Sequence, residues 1–314
     1  MTNETPDHLS RRSALKCMAH GAAGTLFVLA GGTFTPVDLA RAADDKQRLA
    51  ALGKPLFLQM SDTHIGFAKD ANPDVAGTLG RAIDLVNAMA EQPALIVHTG
   101  DITHLSKPAE FDLAQQLLAR LRVSELHTVP GEHDTADAGV SEYFSRFGKA
   151  SDNKGYYSFD HAGVHFIALI NVLDFKDGGL GVLGPRQLAW AKADLGARSS
   201  STPIVVFAHM PLWTIHEPWG WGTSDAGELM AELRRFGSVT VLNGHIHQIV
   251  QKVEGNMTFH TARSTAFPQP AAGVGGGPGP LKVGAGELTK MLGITSVSVA
   301  AHPAATAFVE SPLG

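Results

Sequence analysis

Five short apolar runs along the chain each end abruptly in polar residues. They occupy residues 55–60, 94–98, 125–130, 203–208 and 238–243. Their length, and the helical patterns that separate them, are typical of buried strands in a parallel sheet. Domains of the α/β class place their functional sites at the carboxyl ends of such strands. The pattern therefore predicts an α/β domain with a site where these runs end.

Between the runs, apolar residues recur at intervals of three and four, which is the spacing of amphipathic helices. Val75, Leu79 and Ile83 show this spacing in the first of them. The pattern predicts helices at 72–92, 108–122, 137–148, 184–195 and 224–236.

The remaining segments predict short strands and one long loop. Hairpins are expected at 156–170 and 249–262, and two strands around Pro303 close the chain. Residues 268–286 are rich in glycine and proline and predict a loop. Residues 55–314 are expected to form a single domain.

The composition is that of an ordinary globular protein and narrows the range of partners. Of the 314 residues, 44% are hydrophobic and 18% are charged, and the formal net charge is −5. Proteins that bind a nucleic-acid polymer usually carry clustered Lys and Arg, and this sequence shows no basic patch. We therefore expect no nucleic-acid polymer as a partner.

The first 42 residues resemble a twin-arginine export signal. Arg11 and Arg12 precede an apolar, glycine-rich stretch at 18–34, and cleavage is expected after Ala42. The sole cysteine, Cys17, would be removed with this segment. Residues 43–54 are predicted to be a linker. The signal predicts the twin-arginine translocation machinery as a partner and a periplasmic or otherwise exported protein.

An uncleaved membrane anchor is the alternative interpretation of this segment. Four glycines interrupt the apolar stretch, which makes it a poor membrane span. We therefore expect no stable membrane insertion of the mature chain.

The polar residues that end the five apolar runs are those that bind metal ions. They are Asp62, His64, Asp101, Glu132, His133, His209, His245 and His247. Side chains at positions i and i+2 of an extended segment point the same way, so Asp62 and His64, or His245 and His247, can face one cavity. Gly244 would let the backbone approach that cavity closely. Each ending alone could be an ordinary turn or helix cap.

Together the endings supply about twice the three protein ligands that one catalytic zinc needs. The simplest interpretation is a site with two metal ions that share one carboxylate ligand. Imidazole and carboxylate ligands suit Zn, Mn or Fe better than Ca.

Other histidines and a tryptophan-rich loop have simpler interpretations. Five histidines show no partner at ligand spacing and are assigned to structure or surface: His98, His104, His127, His161 and His165. The loop at 212–223 carries Trp213, His216, Trp219 and Trp221. Its aromatic residues could stack on a substrate, but we favour a role in holding the loop in place.

The order of these motifs resembles that of the calcineurin-like metallophosphoesterases. That family carries Asp-x-His, Gly-Asp, Gly-Asn-His-Asp/Glu, a lone His and Gly-His-x-His, and the resemblance spans residues 55–265. Within the family, the segment 261–267 looks most like the class III cyclic-nucleotide phosphodiesterases. The resemblance implies a four-layer α/β/β/α sandwich of two mixed β-sheets flanked by helices.

The resemblance also implies roles for the site residues. Asp62, His64 and His247 would hold one metal ion, His209 and His245 the second, and Asp101 would bridge the two. The ions would be two divalent or mixed-valence metals (Mn, Fe or Zn). A hydroxide bridging them would attack a small-molecule phosphodiester or phosphomonoester. His133, oriented by Asp134, would contact the phosphate or protonate the leaving oxygen.

The departure from the family pattern is Glu132, which stands where the family has Asn. A glutamate adds a negative charge and one methylene group. We hypothesise that Glu132 binds the second metal ion, because the surrounding Gly131-x-His133-Asp134 is intact. The alternative is a catalytically impaired metal- or ligand-binding protein of the same fold.

Overall fold

Two mixed β-sheets with helices on their outer faces form the structure, a computed structural model. It describes residues 25–30, 33–38, 56–136, 139–152, 154–175, 177–284, 286–300 and 305–314. The predicted linker at 43–54 lies outside the described residues. Among the described residues, no helix has the length and apolar character needed to span a membrane.

The strands, in chain order, are β1 (Thr25–Ala30), β2 (Thr33–Asp38), β3 (Phe57–Met60), β4 (Leu95–His98), β5 (Glu125–Thr128), β6 (Tyr157–His161), β7 (Val164–Ala168), β8 (Ile204–Phe207), β9 (Val239–Asn243), β10 (Gln251–Glu254), β11 (Met257–Thr261), β12 (Gly293–Ala300) and β13 (Ala305–Pro312). The helices are α1 (Val75–Asn87), α2 (Pro108–Leu118), α3 (Gly139–Phe147), α4 (Pro185–Gly196), α5 (Ala226–Leu233) and α6 (Leu288–Met291). All strands and helices predicted between 55 and 314 are confirmed.

The first sheet has the strand order β2-β1-β13-β12-β3-β4-β5, and the second has the order β10-β11-β9-β8-β7-β6. The neighbours β3, β4 and β5 are parallel, and so are β7, β8, β9 and β11. Strands β1 and β2 lie within the segment predicted to be a signal peptide, and β1 pairs antiparallel with β13. The rest of that segment is outside the described residues, and its cleavage after Ala42 stays a prediction.

Alternating side chains divide the core into layers. In β3, Phe57 packs between the two sheets, whereas Leu58 and Met60 pack under α1 and α2. In β8, Phe207 joins the layer between the sheets and Val206 packs under α4 and α5. This alternation follows from the two-residue period of a strand. The predicted four-layer α/β/β/α sandwich is confirmed.

Helix ends differ from the prediction where a side chain caps the helix. The first helix was expected at 72–92 and spans Val75–Asn87. It begins late because the Asp74 carboxylate accepts a hydrogen bond from the Gly77 N–H at 2.8 Å. It ends early because the Gln92 amide donates to the carbonyls of Val86 and Met89 and so replaces a further helical turn.

Candidate metal centre

The carboxyl ends of five parallel strands bring all seven predicted metal ligands together. Asp62 and His64 follow β3, Asp101 follows β4 and Glu132 follows β5; His209 follows β8, and His245 and His247 follow β9. The first three of these strands belong to one sheet and the last two to the other. The site therefore lies at one end of the sandwich, where both sheets contribute.

One group of ligand atoms consists of Asp62, His64 and His247. These three residues are buried, and one ligand atom from each lies within 4.8 Å of the others. The His247 Nε2 atom is 3.3 Å from Asp62 Oδ1 and 3.2 Å from His64 Nε2. The atoms are thus close enough to share one cation.

The second group consists of Glu132, His209 and His245. Oε2 of Glu132 is 2.8 Å from Nε2 of His209, and Oε1 is 2.9 Å from Nδ1 of His245. Glu132 therefore lies between both histidines, in the position that the hypothesis of a glutamate ligand requires.

A single oxygen of Asp101 lies between the two groups. Its Oδ2 atom is 3.5 Å from Nε2 of His64 and 3.3 Å from Nε2 of His209. The other oxygen, Oδ1, accepts a hydrogen bond from the His133 backbone N–H at 3.0 Å. A carboxylate held in this way can bridge two cations.

The chemistry of these donors fits metal ions. Four buried side-chain atoms of the two groups form no hydrogen bond with any described residue: Asp62 Oδ2, Glu132 Oε2, His209 Nε2 and His245 Nδ1. Buried polar atoms without partners are costly, and a cation would satisfy all four. Imidazole and carboxylate ligands match Zn, Mn or Fe.

The backbone of the ligand residues is strained. Eight non-glycine residues in the described ranges have positive φ angles, and five of them are predicted ligands: Asp62, His64, Asp101, His245 and His247. Such conformations cost about 1–3 kcal/mol each and persist where the surrounding structure enforces them, often at functional sites. Here they turn the side chains from the strand ends toward one point.

Close backbone approach at the site requires Gly244. A Cβ atom at this position would lie 2.6 Å from Oδ2 of Asp62 and would also collide with Ser61. The predicted role of Gly244 in letting the strand end approach the site is confirmed.

Backbone carbonyls fix the rings of two ligand histidines. Nδ1 of His209 donates to the Thr99 carbonyl at 2.7 Å, and Nδ1 of His247 donates to the Phe267 carbonyl at 2.5 Å. Each of these hydrogen bonds turns Nε2 toward the site, and in the neutral ring it leaves Nε2 free of hydrogen, as a metal ligand requires.

The electrostatics of the site favour charged carboxylates. Burial raises the pKa of Glu132, but the charges of His245 and His209 outweigh it and hold this pKa well below the usual range. Burial, followed by the charge of His247, lowers the pKa of His64 well below its ordinary value. His64 is therefore neutral at neutral pH, which is the form that binds metals.

The prediction that Asp134 orients His133 is wrong. The Asp134 carboxylate accepts hydrogen bonds from the backbone N–H groups of Ile102, Thr103 and Gly131 at 2.7–3.0 Å. Nδ1 of His133 instead donates to the His104 carbonyl at 2.7 Å. Asp134 thus ties the loop after β4 to the turn that carries Glu132. Burial, joined by the charge of Asp101, raises its pKa to about 6.

The assignment of His104 to structure or surface is also wrong. Its ring lies at the site, with Nδ1 3.4 Å from Nδ1 of His64. It stacks on the His133 ring with centroids 4.7 Å apart. Burial, followed by the charge of His133, lowers its pKa to about 4. Sequence spacing missed it, because it has no partner at i+2; its position three residues after Asp101 was the available signal.

A cavity of about 160 Å³ opens over the ligands. Among its lining residues are Phe67, Lys69, His104, His133, Gln269 and Pro280. The glycine- and proline-rich loop at 268–286 thus forms one wall. None of the four tryptophans lines this cavity. Trp221 is 1% exposed, and Trp213 packs against Phe259, which agrees with a role in holding the loop in place.

Two known proteins are similar to this chain in sequence. A glycerophosphodiester phosphodiesterase, GpdQ, of Enterobacter lignolyticus is 28% identical over 237 residues, which are 68% of this chain and 79% of the relative. A probable cyclic nucleotide phosphodiesterase of Synechococcus sp. is 29% identical over 218 residues, 62% of this chain and 75% of the relative.

A solved structure shares the fold. The dimetal phosphatase of Danio rerio superposes with a TM-score of 0.57 at 16% identity and covers 68% of this chain and 90% of its own. The sequence profile of the calcineurin-like phosphoesterases matches residues 55–249. Since this match covers more than half of the sequence, the chain belongs to the calcineurin-like phosphoesterase family.

Proposed function

We propose that this protein hydrolyses a small-molecule phosphodiester or phosphomonoester with the help of two metal ions. The observation that carries the proposal is Asp101 Oδ2, which lies 3.5 Å and 3.3 Å from ligand atoms of the two separate groups. Asp62, His64 and His247 would hold one ion, and Glu132, His209 and His245 the other. The relatives named as phosphodiesterases favour a diester.

Mn, Fe and Zn, as two divalent ions or a mixed-valence pair, suit these ligands. When bound, two such cations would supply an activated water as nucleophile and neutralise the charge on the phosphoryl oxygens.

The residue placed to move a proton is His133. Burial lowers its pKa, but the charges of Asp101 and Glu132 outweigh burial and raise it above the ordinary value. The His104 carbonyl holds Nδ1, so Nε2 is the atom that can give a proton to a leaving oxygen.

The test uses the full chain, stripped of metal with a chelator and reloaded with Mn, Zn or Fe. Hydrolysis of an aryl phosphodiester and of the matching monoester is measured for each metal. We expect metal-dependent turnover that Asp101→Asn reduces by at least about 100-fold. The matched control Asp112→Asn changes an exposed carboxylate that pairs with Arg146 and should keep full activity.

Two outcomes would contradict the proposal. Turnover that survives complete removal of metal would exclude the two-metal mechanism. Two bound metal ions per chain without turnover of any ester would indicate the alternative function, a catalytically impaired metal-binding protein.

We also propose that the protein is exported by the twin-arginine pathway to the periplasm. The paired Arg11 and Arg12 support this proposal. Replacing both with lysine should retain the protein inside the cell, as cell fractionation would show. Equal export of the variant and the original chain would contradict it.

A further inference from the structure

The loop that follows β4 holds His104 in a fixed position. The buried Glu110 carboxylate accepts a hydrogen bond from the Leu105 backbone N–H at 2.7 Å. The Ser106 hydroxyl donates to the His133 carbonyl at 2.6 Å, and Ser106 has a φ of 55°. These contacts anchor the backbone directly after His104. The fold therefore holds the His104 ring in a defined position at the site.

The ring of His104 has specific neighbours on three sides. It stacks on His133 at an interplanar angle of 17°, and the edge of Phe67 approaches it with centroids 5.1 Å apart. Its Nδ1 atom lies 3.4 Å from Nδ1 of His64. Its Nε2 atom forms no hydrogen bond with any described residue, and His104 lines the cavity.

His64 differs from the other ligand histidines in how its ring is held. Nδ1 of His209 and Nδ1 of His247 each face a backbone carbonyl, which can only accept a hydrogen bond. Nδ1 of His64 instead faces the imidazole of His104, which can accept or donate. The partner of His64 is thus the His104 side chain, whose hydrogen can lie on either ring nitrogen, and not a backbone carbonyl.

Metal binding by His64 would settle where that hydrogen lies. When His64 gives the lone pair of Nε2 to a cation, its only hydrogen is on Nδ1. That N–H donates to Nδ1 of His104, which must then be without hydrogen. With Nδ1 of His104 as the acceptor, the hydrogen of this ring lies on Nε2.

We propose that His104 is a phosphate-binding residue, with Nε2–H as the donor to a phosphoryl oxygen and His64 as the partner that sets this tautomer. The inference rests on the proposed function, since it assigns a second imidazole beside His133 to the same substrate. The tautomer of His133 is set in a different way, because the backbone carbonyl of His104 accepts a hydrogen bond from its Nδ1–H.

Two substitutions separate the two nitrogens of His104. The amide of His104→Asn lies near the position of Nδ1 and can still accept from His64. The amide of His104→Gln lies near the position of Nε2 and can still donate into the cavity. His104→Ala removes both groups.

Metal affinity and phosphate affinity are measured separately on the full chain loaded with zinc. Competition with a chromogenic chelator gives the metal affinity, and calorimetry with inorganic phosphate gives the phosphate affinity. We expect His104→Gln to weaken zinc binding by about 10-fold and to keep phosphate affinity within about 3-fold. We expect His104→Asn to do the opposite, and His104→Ala to lose about 10-fold in both.

The control is His161→Asn at the turn between β6 and β7, outside the cavity, which should change neither affinity. Thermal unfolding of each variant checks that the fold is kept. Equal effects of Asn and Gln on both affinities, or full affinity for both probes in His104→Ala, would overturn the inference. Because both readouts are binding constants, they apply even if the protein hydrolyses no ester, and a failure of the proposed function is seen separately as absent turnover.

Discussion

Oε2 of Glu132 lies 2.8 Å from Nε2 of His209, and neither atom has a hydrogen-bond partner among the described residues. The family pattern places a neutral Asn at the position of Glu132. The longer glutamate reaches both His209 and His245, and it adds a third carboxylate to a site that already contains Asp62 and Asp101. A third negative charge favours strongly charged cations and disfavours an anionic substrate.

We predict that Glu132 is a metal ligand. Glu132→Ala should reduce the metal content from two ions to about one per chain, because the second site loses a carboxylate. Glu132→Gln, which keeps the length without the charge, should weaken that site by at least about 10-fold. Metal content after dialysis against a weak chelator measures both. A content of one in the original chain, restored to two by Glu132→Asn, would refute the prediction.

Asp134 is predicted to stabilise the fold of the site. Its carboxylate accepts four hydrogen bonds, three from backbone N–H groups and one from the Thr103 hydroxyl. In Asp134→Asn an amide NH₂ would face these donors, so we expect a loss of about 2–3 kcal/mol in the free energy of unfolding. Urea unfolding measures it. The control Asp84→Asn affects an exposed pair with Arg120 and should cost less than about 1 kcal/mol.

The same variant distinguishes a structural role of Asp134 from a catalytic one. If Asp134→Asn were as stable as the original chain but lost turnover, the carboxylate would act on the reaction through His133. The geometry argues against this, because the His133 ring is held by the His104 carbonyl.

The architecture could be predicted because local sequence patterns determine its strands and helices. Apolar runs of strand length and the three-four spacing of helices depend on nearby residues alone. The i, i+2 pairs at Asp62/His64 and His245/His247 were also visible locally, but their positive φ angles show that they lie beyond the extended strands, so their exact directions were not predictable. Helix ends were less predictable: those of α1 depend on the side chains of Asp74 and Gln92.

The corrections concern residues whose roles depend on tertiary contacts. Asp134 follows His133 in sequence, but the two lie in a 3₁₀ turn, where neighbouring side chains diverge by about 120°. The position of His104 depends on the tether from Glu110 and on the backbone of Ser106. Neither contact has a spacing signal; for His104 the only sequence signal was its position three residues after Asp101, and for Asp134 the location could be predicted but not the hydrogen-bond partners.

Trp221 is predicted to matter for stability and not for substrate binding. It is 1% exposed, and its ring meets the edge of Trp219 with centroids 5.0 Å apart. Trp221→Ala should lower the free energy of unfolding by about 3–5 kcal/mol through the cavity it leaves. KM should stay within about 2-fold at a temperature where the variant is folded. A large increase in KM with unchanged stability would instead place this loop against the substrate.

The Lys69 amine is predicted to bind an anionic phosphate oxygen of the substrate. It lines the cavity, and its amine forms no ion pair with any described residue. Most other charges at the site belong to carboxylates that metal ions would neutralise, which leaves this amine available to a phosphate oxygen. Because the lysine is exposed, its contribution is modest and screened by salt. Lys69→Ala should raise KM for a phosphomonoester by about 2- to 5-fold at low ionic strength, and by less at high ionic strength.

A matched lysine on the loop that forms one cavity wall tests this prediction. The Lys282 amine pairs with Asp70 at 2.9 Å and is absent from the cavity lining. Lys282→Ala removes the same net charge, so it reproduces any effect of overall charge on substrate approach. Steady-state kinetics for both variants across a salt series would decide the matter. Equal changes in KM would show that the total charge matters, whereas a change confined to Lys69→Ala would locate the substrate phosphate beside this amine.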